Sequence, residues 1–122
     1  MKLVTAVVSL SLSFAISAPA KSQRLEPGGF SQQCEAERML LETWRQKGVV
    51  YIVGYKDSGG VMFVHTNAWR RITSHLQSRL ALAAYCPIGS KFGSGRLDIG
   101  GRIGPVFGAV VDGRWQKRKE TH

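Results

Sequence analysis

The chain predicts an α+β domain, and three observations carry that class: a doubly apolar strand pair, a long helical repeat behind it, and two cysteines placed to join helices. Residues 49–55 carry Val49, Tyr51, Val53 and Tyr55 on one face and Val50, Ile52 and Gly54 on the other. A strand apolar on both faces is covered on both sides, or has one side waiting for a partner. Asp57, Ser58, Gly59 and Gly60 supply a turn, and residues 61–65 read as the return strand. Trp69, Ile72, Leu76, Leu80 and Ala83 then recur at three and four, which predicts one helix from Thr66-Asn67 to Cys86-Pro87.

The first element precedes that pair. Ser31 is a reasonable N-cap, Glu35 and Glu37 follow in the first turns, and Arg45 and Lys47 come before a stop at Gly48. Residues 32–47 therefore read as a helix whose buried stripe holds Ala36, Leu40 and Trp44. After Pro87 a glycine-rich loop runs to Gly95. Residues 96–99 look like a third strand, residues 100–104 like a turn and residues 106–111 like a fourth strand, with Trp115 folding back on the sheet.

The expected architecture is thus helix, two strands, helix, two strands. A crossover through the second helix would set the third strand beside the first, giving a four-stranded antiparallel sheet in the order 2-1-3-4 with both helices on one face. The other face is then left without a helix. Arg71, His75 and Arg79 form a row on the second helix, and antiparallel helices would bring Glu35, Glu37 and Glu42 within reach of it.

Compartment follows from the N-terminus. Met1-Lys2, an uncharged apolar run at residues 3–16 and the small-residue box Ala18-Pro19-Ala20 read as a secretory signal peptide cleaved near Ala20, too short for a membrane span. Residues 21–30 read as a flexible lead, residues 31–115 as a single α+β domain and residues 116–122 as a basic tail with Lys117, Arg118 and Lys119. A periplasmic or extracellular location is expected, where Cys34 and Cys86 should pair.

Charge limits the partners. The chain of 122 residues carries +9, and removing the leader takes away only Lys2, leaving +8. That field favours nucleic acid, anionic lipid, a cell-envelope polymer or an acidic protein. Neither cysteine belongs to a CxxC, and His65, His75 and His122 show no ligand spacing with them, so no metal or cofactor is expected. Gly93-Ser94-Gly95 fails GxGxxG and opens no helix, which makes it turn glycine.

The candidate site lies at the start of the second helix. His65, Thr66, Asn67, Arg70 and Arg71 could converge on a phosphate or carboxylate, against the plainer reading of a helix cap with solvated arginines. In a first turn Arg70 and Arg71 would oppose the helix dipole by roughly 0.3 to 1 kcal/mol each. No catalytic residue stands out. A phosphodiester hydrolase would have to use His65 and His75, ten residues apart across a helix start. The expected function is a non-enzymatic accessory protein that engages a protein partner or a second copy through its apolar sheet face. The alternatives are a basic binder of anionic polymers or membrane surfaces, and a small secreted phosphodiester hydrolase.

Overall fold

The computed structural model describes residues 32–119. The expected signal peptide and the flexible lead lie outside the described residues, as does Ser31. A short 3-10 turn, Gln32–Cys34, leads into α1, Glu35–Gln46. The hairpin β1, Val50–Lys56, and β2, Gly59–Val64, follows. Two helices come next, α2, Thr66–Arg71, and α3, Ser74–Phe92. The chain then forms β3, Arg96–Gly101, β4, Val106–Val111, and β5, Arg114–Lys117.

The class is α+β, and the sheet differs from the expected one in three ways. It has five strands instead of four, its order is β1-β2-β3-β4-β5 instead of 2-1-3-4, and it is mixed: β3 runs parallel to β2, from Gly59 opposite Arg96 to Val64 opposite Gly101. A helical crossover returns the chain in its starting direction, which permits a parallel neighbour on the strand it has just left. β1 therefore becomes an edge strand, and its second apolar face is exposed surface: Ile52 is 53% exposed. The fifth strand follows from Asp112-Gly113. Both residues adopt positive φ, 51° and 86°, the two-residue turn that closes a tight hairpin. Gln116 and Lys117 thus belong to β5 and not to a free tail.

The second helix is also not one helix. Ile72 is extended, and Thr73 restarts the chain by accepting the Leu76 amide on its side-chain hydroxyl at 3.1 Å. Gln77, the one buried polar residue among those described, donates to the Trp69 carbonyl at 2.8 Å and satisfies an acceptor that the break leaves open. Because α2 spans Thr66–Arg71, Arg70 and Arg71 occupy its last turn, where cations favour the dipole, and the expected cost disappears. α3 then passes through Pro87 and ends at Phe92, with Gly93 at φ +81 as its left-handed cap. Near the proline the Ala84 carbonyl accepts the Tyr55 hydroxyl at 2.5 Å. Burial pushes that phenol well above its ordinary range, so it remains a donor.

One core cluster fills the space between the helices and one sheet face. Leu41 of α1 and Leu80, Ala84 and Ile88 of α3 pack with Val50, Met62, Val64, Leu97, Ile99 and Val110. The bridge Cys34–Cys86 is formed, with Cα atoms 5.8 Å apart, and fixes the start of α1 beside α3. The expected acid–base pairing between the helices is absent. Glu35 binds Arg38 and Glu42 binds Arg45, both within α1, and these guanidinium groups hold both carboxyls below the ordinary range. Glu37 and Arg79 share the cleft between the helices without a salt bridge.

Two outcomes follow for stability. Thr73→Ala should cost about 1 kcal/mol in chemical denaturation while Thr73→Ser keeps most of it, since only the hydroxyl cap distinguishes them. Replacing both cysteines by alanine should cost about 4 kcal/mol, the chain-entropy value for a crosslink of this span, and an unchanged denaturation midpoint would contradict that role.

Candidate functional site

His65 leaves β2 and prepares α2. Its amide donates to the Val49 carbonyl and its own carbonyl accepts from the Trp69 amide, both at 2.9 Å. The backbone is extended at His65, and no side chain caps the helix, so the expected cap by Thr66 or Asn67 is not made. His65, Thr66, Asn67 and Arg71 do lie together, lining one open depression. Arg102 and Ile103, from the loop between β3 and β4, complete its rim.

Arg70 is not part of that depression. Adjacent residues on a helix point about 100° apart, and the Arg70 guanidinium stands 5.6 Å over the Phe107 ring instead. Phe107 is the extra residue of a bulge that separates the Ile99 and Gly100 pairings, and it is buried against Trp69. His75 is exposed on the first turn of α3 and does not line the depression.

Two residues of this region come from elsewhere in the chain. Tyr51 sits where the β1 register slips between Val50 and Ile52. Its ring meets His65 edge-on at 5.5 Å, and the Arg102 guanidinium stacks on it at 4.4 Å. Arg102 is thereby held with its donors available beside Arg71. The hairpin brings residues 51 and 65 together, whereas residue 102 reaches them only through the crossover, which sequence spacing could not supply.

The charge distribution follows the strand directions. β1 and β4 begin, and β2, β3 and β5 end, at the same end of the sheet, which therefore gathers Arg71, Arg102, Lys117, Arg118 and Lys119. Lys117 reaches Ser74 at the start of α3, and the Arg118 amide donates to the Phe107 carbonyl. Most of the described carboxylates lie elsewhere: Asp57 and Asp112 occupy hairpin turns at the opposite end, and Asp98 pairs with Arg96 within β3. Glu42, in the half of α1 nearest this end and beside Tyr51, is taken up by Arg45.

Trp115 packs edge-on against Trp69 at a centroid distance of 6.4 Å and is half-buried, so it serves the core. Among the described residues no cluster of three His, Cys, Asp or Glu could hold a metal ion, and no helix is long and apolar enough to cross a membrane.

Thr66, in the lining, is seated against Gly101, where a Cβ would lie 2.4 Å from the Thr66 hydroxyl. Gly101→Ala should lower stability by about 1 to 3 kcal/mol. Adding Thr66→Ala should recover part of that loss in a double-mutant cycle; strict additivity would deny the contact. No protein-family model, curated protein or solved structure matches this chain.

Proposed function

We propose that the protein is an exported, non-enzymatic accessory protein that captures another protein on the open face of its sheet. The observation that carries this reading is the one-sided covering: α1 and α3 share a core with one face, and among the described residues no helix lies on the other. Side chains alternate along strands, so the register fixes what the open face presents. Ile52 lies opposite Phe63, and Phe63 opposite Gly100, which faces Val106. Ile52 is 53% and Val106 44% exposed.

The next row runs Gly54, Val61, Asp98, Ala109 and Gln116, and the last carries Lys56, Arg96, Val111 and Arg114. The face thus grades from apolar near α2 to charged at the opposite end, where Lys56, Arg96 and Arg114 stand with Asp98 and the turn residues Asp57 and Asp112. A partner that fits it has an apolar ridge and, against the net positive charge of the chain, an acidic surface. Charge complementarity favours such a protein over a second copy, whose own positive field would be repelled.

Photocrosslinking in the cells that produce the protein tests this. A benzophenone side chain at Phe63 should give one discrete heavier species, and the same group at the exposed Thr43 of α1 should give none. Ile52→Lys should reduce the Phe63 product about tenfold or more, as expected for a charge placed at an apolar contact. Loss of the species from Phe63, or a product of twice the chain mass, would refute a distinct protein partner.

A further inference from the structure

Beyond the open face, and independently of it, we infer that the α2 end of the domain docks on an anionic phospholipid surface. The loop between β3 and β4 projects Ile103, which is 89% exposed, more than any other large apolar residue described. An isolated exposed isoleucine is ordinary, but this one is flanked by cations. Arg102 precedes it, Arg71 faces it across the depression, and Lys117, Arg118 and Lys119 lie at the same sheet end. Among the described residues Asp57, Asp98 and Asp112 lie away from this set, and Glu42, the nearby carboxylate, is paired with Arg45.

An aliphatic tip surrounded by lysine and arginine is the chemistry of an interfacial anchor: the apolar group enters the headgroup boundary while the cations meet lipid phosphates. A nucleic acid would satisfy the cations and leave Ile103 in water. A single strand would also use free aromatic faces for stacking. At this end Tyr51 lies under Arg102, and Phe107, Trp69 and Trp115 are packed together.

The test is co-sedimentation of the oxidised mature chain with vesicles. It should bind mixed phosphatidylglycerol–phosphatidylcholine vesicles, release as salt rises, and ignore pure phosphatidylcholine. Ile103→Ser should weaken binding about tenfold and Ile103→Leu should preserve it, by the transfer free energy of the side chain. Arg71→Ala with Arg102→Ala should weaken it about twenty-five-fold, at about fivefold for each cation near an anionic surface. The inference is overturned if Ile103→Ser binds like the parent, or if the parent ignores anionic vesicles, whether or not it holds an oligonucleotide or an anionic polysaccharide. Failure here leaves the Phe63 crosslink intact, and failure of that crosslink leaves vesicle binding intact.

Discussion

The fold depends on the bridge between Cys34 and Cys86. It ties the turn that starts α1 to the later part of α3, with the two Cα atoms 5.8 Å apart and 52 residues between them in sequence. A chain of this size has little core to spare, and a crosslink of this span removes much of the freedom the unfolded chain would otherwise regain. The bridge also fixes geometry. Both helices are confined to one layer, Leu41 and Trp44 meet β1, and α3 crosses the remaining strands. Among the described residues, a sheet covered by helices on one side only is the direct consequence.

The crossover sets the second constraint. Because β3 lies parallel to β2, the chain turns through α2 at one end of the sheet, and the β3–β4 loop and the end of β5 arrive at that same end. Cations far apart in sequence are gathered there, while the tight hairpin turns at Asp57 and Asp112 keep their carboxylates at the other. The polarity of the surface is thus a product of topology acting on an unremarkable distribution of charged residues. It leaves two surfaces with different chemistry: a sheet face that grades from apolar to charged, proposed above to meet a protein, and a cationic end with an aliphatic tip, proposed to meet lipid.

Sequence reasoning reached the parts of this fold that are local or covalent. The first helix, expected over 32–47 and formed as a 3-10 turn and α1 over 32–46, the first hairpin, the strands after Gly95 and the Cys34–Cys86 pairing all rest on periodicity, turn residues or cysteine count. Strand order was not legible, because crossover handedness does not say which neighbour a returning strand selects. The doubly apolar residues 49–55 suggested a central strand, whereas β1 is an edge that leaves Ile52 exposed. Thr73-Ser74 signalled the break between α2 and α3, but the apolar period continues across it. Asp112-Gly113 signalled β5 in the same understated way. In the candidate site, neighbours in sequence such as His65, Thr66, Asn67 and Arg71 were found, and Tyr51 and Arg102 were not, since only the tertiary fold brings them there.

The asymmetry of the sheet is the claim on which the proposed protein-binding face rests, and hydroxyl-radical footprinting of the oxidised full chain tests it directly. Met62 and Phe63 are adjacent in β2 and point to opposite faces: Met62 is fully buried beneath the helices, and Phe63 is half-buried on the open side next to the exposed Ile52. A methionine thioether oxidises readily wherever solvent reaches it. The expected pattern is labelling of Ile52 and Phe63 with Met62 spared. Rapid oxidation of Met62, or protection of Ile52 and Phe63 in the free protein, would contradict a sheet covered on one side only.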